Sequence, residues 1–74
     1  NKYYIINILK QINTQIANQL EHNSGQYFDN YCQLVIENFK LENYYVVPGY
    51  VEIFFGQYDI APYSSGIPTF RIKV

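Results

Sequence analysis

One cysteine and one histidine in 74 residues remove the usual staples of a small domain. Cys32 has no second cysteine with which to close an internal disulfide. With His22 alone beside it, a four-ligand structural zinc site is out of reach. Charge is scarce as well: 15% of the residues are charged, five basic against six acidic, for a net −1. The basic residues form no cluster. Phosphate backbones are held by Lys and Arg gathered on one face, so nucleic acid is excluded as a partner class. No apolar run reaches bilayer-spanning length, and no charged-then-apolar leader is visible. Any link to a membrane would therefore run through a segment outside this sequence. Phosphate-binding glycine loops, Ser-His-Asp arrangements and Cys-His nucleophile patterns are missing too. Neither a cofactor nor a metal is expected.

Apolar and aromatic residues are what the chain has in quantity. Hydrophobic residues make up 49% and aromatics 19%, with nine Tyr, five Phe and no Trp. A chain this short buries only about 60% of its unfolded surface, so one domain with one dense core must supply the stability. So many rings for so small a core leave some of them exposed, and tyrosine carries a polar tip suited to surfaces.

The first third reads as a helix. Ile5, Ile8, Leu9, Ile12, Ile16 and Leu20 recur every three or four residues, an apolar stripe on one face. Asn7, Lys10, Gln11, Asn13, Gln15, Asn18 and Gln19 form the polar outer face. Tyr3 and Tyr4 fit either the helix or an extended lead-in. The stop is His22-Asn23-Ser24-Gly25, with Gly25 suited to a left-handed conformation after the last turn. Residues 26–38 fit a short amphipathic helix at least as well as a strand, and Asp29 is placed to begin such a helix.

From Phe39 the period becomes two. Phe39 and Leu41 alternate with Lys40 and Glu42, and Tyr44-Tyr45-Val46-Val47 continues in residues that favour strands. Pro48-Gly49 is a turn with glycine in the positive-φ position, and residues 50–55 return as the second arm of a hairpin. Residues 57–68, with two prolines, a glycine and two serines, form an irregular connection. The last segment alternates again, with Phe70, Ile72 and Val74 inward and Arg71 and Lys73 outward. The expectation is an α+β fold, an N-terminal amphipathic helix and a short second helix packed on an antiparallel sheet of about three strands.

Candidate chemistry is thin. His22 at a helix end suits contact with terminal carbonyls or solvent. Cys32 has no Lys, Arg or His beside it to lower its pKa and reads as a small core residue. A glycosidase would need two of Asp29, Glu37, Glu42, Glu52 and Asp59 to face each other across a cleft, and Glu42 and Glu52 read as outer-face strand charges. Asp59, between a strand and a proline turn, suits acceptance of backbone N–H bonds. The tyrosines carry more. Tyr44, Tyr45, Tyr58 and Tyr63 crowd the hairpin and the long loop, where they either pack or form an exposed platform for a sugar ring or a partner protein. Tyr63, between Pro62 and Ser64-Ser65-Gly66, sits at the loop apex.

The stretches Glu37-Asn38-Phe39-Lys40-Leu41, Val51-Glu52-Ile53-Phe54-Phe55 and Tyr58-Asp59-Ile60-Ala61-Pro62-Tyr63-Ser64-Ser65-Gly66-Ile67-Pro68 resemble the extracytoplasmic domain of RsiV-like proteins. The resemblance covers nearly the whole chain, and the loop is its specific part. It implies an α+β domain outside the cytoplasmic membrane of mainly Gram-positive bacteria. Members include an anti-sigma factor that binds lysozyme and domains appended to peptidoglycan deacetylases. On that footing the chain is one domain, the C-terminal part of a longer protein anchored to membrane or cell wall. Its expected role is a non-enzymatic receptor for a protein such as lysozyme or for a cell-wall glycan. The alternative is a structural accessory domain packing on an upstream one. The candidate contact residues are Tyr58, Asp59, Pro62, Tyr63 and Ser64 in the loop, joined by Tyr45 from the hairpin. The family domain is often preceded by a further region with its own strands. Without it an edge strand is left unpaired and open to a second copy.

Overall fold

The computed structural model describes residues 2–73. Helices α1 (Lys2–Leu20) and α2 (Tyr31–Asn38) are followed by strands β1 (Tyr44–Val47), β2 (Tyr50–Phe54) and β3 (Thr69–Lys73), with a 3-10 turn, Tyr63–Ser65, between the last two strands. The strands form one antiparallel sheet in the order β1-β2-β3. This is the α+β arrangement that the two periodicities predict. Tyr3 and Tyr4 belong to α1.

Register explains the core. Cross-strand partners share a face, so Tyr44, Ile53 and Phe70 point one way, as do Val46, Val51 and Ile72. That inner face meets Ile8, Ile12 and Ile16 of α1 and Val35 of α2, all buried. Phe55 and Phe70 meet edge to face at 5.9 Å, and Tyr27 leans on Phe70 from 6.3 Å. Burial raises the pKa of the Tyr27 hydroxyl, which donates to the Gln19 side-chain carbonyl.

The backbone of α1 comes close to β3 alone among the strands. Its glutamines there are not idle surface. Gln11 Nε2 donates to the Lys73 carbonyl (3.2 Å), while Gln11 Oε1 accepts from the Lys73 N–H (3.0 Å). Gln15 Nε2 donates to the Arg71 carbonyl at 2.8 Å. Phe55 N–H donates to the Pro68 carbonyl on the β2 side. By strand alternation Arg71 and Lys73 therefore direct their backbone groups to the free edge. Two side-chain amides, one helical turn apart, thus cover the Lys73 N–H and carbonyl and the Arg71 carbonyl on that edge.

Several local expectations give way to tertiary contacts. α1 ends without a left-handed residue: the His22 and Asn23 N–H groups both return to the Gln19 carbonyl. Gly25 has no positive φ; among the described residues only Gly49, Gly66 and Tyr58 do. Phe39 opens no strand, because its N–H still closes α2 on the Val35 carbonyl and the Asn43 N–H then turns back to Lys40. Alternation over 39–42 is therefore a turn that imitates a strand. Asp29 does not begin α2. The Phe28 N–H is held by the Ile60 carbonyl, the chain turns at 29–30, and Asn30 is the N-cap. Cys32 is exposed rather than core, since α2 turns Val35 inward and the thiol outward. The inward expectation for Val74 falls outside the described residues.

Candidate functional site

The connection from β2 to β3 is anchored from within. Ile60, Ala61 and Pro68 are buried, the Phe28 N–H donates to the Ile60 carbonyl at 3.1 Å, and Ser65 Oγ donates to the Gln26 carbonyl at 2.8 Å. Asp59 ties the start of the loop, accepting the Gly56 N–H on Oδ2 at 2.9 Å. A Cβ on Gly56 would stand 2.9 Å from that same oxygen, so glycine is the residue that lets the carboxylate approach. Asp59 is thus committed to the loop's own backbone.

These anchors force one residue into an unusual conformation. Tyr58 has φ 69°, the left-handed region that a side chain other than glycine or asparagine adopts at a cost of about 1–2 kcal/mol. The result is an outward cluster of rings. Tyr58 and Tyr63 stack at 4.8 Å with planes 20° apart, and Phe28 meets Tyr58 edge-on at 5.2 Å. The tyrosines remain 55% and 65% exposed. Pro62 (φ −61°, ψ 157°) leads extended into the 3-10 turn that carries Tyr63 and the exposed Ser64, and Gly66 closes it at φ 76°, ψ −152°.

Tyr45 is not part of this cluster. It stands on the outer face of the sheet, 6.2 Å from the Phe54 ring. Hydrogen bonding to the Glu52 carboxylate pushes its hydroxyl above the usual tyrosine range. The Arg71 guanidinium completes the group, 2.9 Å from Glu52 and 5.3 Å from the Tyr50 ring centre. The hairpin tip at Pro48-Gly49 and the loop after β2 lie at opposite ends of β2. Among the described residues no ring contact joins Tyr45 to Tyr58 or Tyr63, the loop residues with which the sequence groups it.

Hydrogen bonds from Tyr45, then from Arg71, hold the Glu52 carboxyl below the ordinary glutamate range. A depressed folded-state pKa adds stability that is complete above the unfolded-state value and is lost as pH falls through the folded one. Glu52→Gln is therefore expected to flatten the decline in urea midpoint from about pH 5 downward relative to the parent. Superimposable midpoint-versus-pH curves for the two proteins would contradict the Tyr45–Glu52–Arg71 grouping.

The other polar candidates are dispersed. Glu37 accepts from Gln33 within α2, and His22 and Asp29 are exposed. Among the described residues no group of three or more His, Cys, Asp or Glu is placed to hold a metal, and no helix is long and apolar enough to cross a membrane. Sequence reasoning missed Phe28, whose only signal was its place in an aromatic-rich segment.

Fold and loop together define a small α+β module that presents a stacked tyrosine pair to solvent. Over residues 1–74 the chain matches the family described as protein of unknown function (DUF3298), and it belongs to that family. No curated protein matches it.

Proposed function

We propose that this domain is a non-catalytic ligand-binding or sensory module of the cell surface, akin to the RsiV-like extracytoplasmic domains, and that Tyr58 and Tyr63 make the contact. The observation that carries the reading is the left-handed Tyr58. A tyrosine at φ 69° costs free energy that glycine would not, and the return is an exposed ring stacked on Tyr63. Strain of this kind collects at binding sites. The pair offers two π-faces and hydroxyls with no charge in the stack, which suits a neutral sugar ring or an apolar side chain of a partner protein. The ligand class is therefore a cell-wall glycan or a protein such as lysozyme, met outside the cytoplasmic membrane.

The test is an amide-shift titration of the labelled domain, run separately with a lysozyme and with soluble peptidoglycan fragments. Saturable shifts are expected at 57–66 with one of the two. Tyr63→Ala should weaken that binding at least about tenfold while the rest of the spectrum stays dispersed. Undiminished affinity in the folded variant would remove Tyr63 from the site.

One observation favours a second reading, an accessory domain that packs on a neighbour. Tyr4, Ile8, Leu41, Tyr44, Val51, Ile53 and Ile72 line an open apolar groove of about 270 Å³ at the β1 side of the inner face. Under this reading neither titrant shifts the loop.

A further inference from the structure

The two edges of the sheet are treated differently. The β3 edge is covered toward its C-terminal end by Gln11 and Gln15. Natural sheets blunt an exposed edge with charge, proline, bulges or cover. Among the described residues β1 carries none of these: Tyr44-Tyr45-Val46-Val47 is uncharged and pairs with β2 without a bulge, and α1 lies over β3 instead. The Phe54 N–H donates to the Asn43 carbonyl at 3.0 Å, so Asn43 faces β2. By alternation Tyr45 and Val47 do likewise, and the backbone groups of Tyr44 and Val46 point away from the sheet.

We infer that the β1 edge is the contact surface for a second copy of this chain, paired antiparallel with Tyr44 opposite Val46 of the partner. Three features select that occupant and register. Directly opposed residues must share a face, and Tyr44 and Val46 are both inner-face residues whose N–H and C=O groups point outward. Pairing them across a two-fold axis joins both residues of each copy in four backbone hydrogen bonds. The residue on the axis opposes itself, where a charge would repel its own image; Tyr45 occupies it and is neutral. Glu42 then falls opposite Pro48 of the partner, so no like charges meet.

The surface available sets the strength. Tyr44, Tyr45, Val46 and Leu41 are 49%, 47%, 73% and 47% exposed. At about 200 Å² for a whole tyrosine and somewhat less for the aliphatics, this is roughly 400 Å² per copy, or about 800 Å² per pair. That falls below the range of stable complexes and within that of weak ones, so the dimer forms reversibly at high concentration.

Sedimentation velocity from about 10 μM to about 1 mM, with hydrogen exchange at both limits, tests the inference. The expected result is a monomer converting to a dimer as concentration rises, with the Tyr44 and Val46 amides slowing in step. Val46→Lys should remain monomeric throughout. Val46 lies outside the core, so this variant folds, and its far-ultraviolet dichroism should match the parent's. A parent chain that stays monomeric at the upper limit overturns the proposal and leaves the edge to a strand of a different chain. A dimer that survives Val46→Lys, or forms without slowing those two amides, also overturns it by placing the contact elsewhere.

Discussion

Replacing Phe70 by alanine is expected to abolish the cooperative unfolding transition of this domain. Phe70 is wholly buried on the inner face of β3, pairs with Ile53 and lies within ring contact of both Phe55 and Tyr27. It joins the sheet to the α1–α2 layer and to the segment that follows α1. Removing a buried phenylalanine side chain costs about 3–5 kcal/mol, from lost transfer free energy and the cavity left behind. A core in a chain of this size supplies about 3–5 kcal/mol in all. The variant should thus show a sloping, non-cooperative urea profile by circular dichroism. Phe70→Leu, which keeps most of the volume, should retain a transition at a lower midpoint. A parent-like midpoint for Phe70→Ala would mean that Phe70 is not the joint between the layers.

The second large effect is expected at a glycine whose missing side chain would meet open space. A Cβ built on Gly66 meets no atom within 4 Å, so space is not at issue there. Its backbone is, at φ 76°, ψ −152°, a region reserved almost entirely for glycine. Gly66→Ala should cost about 1–3 kcal/mol. It should also disturb the 3-10 turn, because the Gly66 N–H bonds back to the Tyr63 carbonyl. Gly25 is the control: equally open, with no positive φ. Gly25→Ala should be neutral or raise stability by about 0.4–1 kcal/mol through the unfolded chain. Urea midpoints of the two variants distinguish backbone conformation from mere loss of a glycine, and equal shifts would refute the distinction.

What the sequence disclosed and what it concealed divide along the range of the interactions. α1 and β3 were legible because their periods are written within single segments, from Ile8 to Ile16 and from Phe70 to Ile72. The Pro48-Gly49 turn was legible because its chemistry is local, and Gly49 does take φ 81°. Loop 57–68 was legible as a loop, and the exposure of Tyr63 at its apex followed. The left-handed residue was not. Local rules assign that conformation to Gly25, whereas it is also found at Tyr58, where the Gly56–Asp59 bond and the buried Ile60 hold the chain. Phe28 joins Tyr58 across thirty positions through one backbone bond to Ile60, which no window of sequence reports. Tyr45 looked like a partner of Tyr63 because both are tyrosines near turns, but strand register sends it to the outer face. The glutamines of α1 announced a polar face and gave no sign that β3 was its destination.

The cover that Gln11 and Gln15 place on β3 reaches beyond the helix that carries them. In the language of polymer chemistry, a sheet with two open edges is a bifunctional monomer, able to add units at both ends into a fibre. On the β1 pairing inferred above, this fold would be monofunctional, with one reactive end and one covered end. Coupling such a unit through β1 would terminate at the first step, because the product exposes only covered ends. On that pairing, two side-chain amides would set a ceiling on assembly size in a protein whose composition, rich in tyrosine, isoleucine and asparagine and poor in charge, would otherwise favour runaway growth.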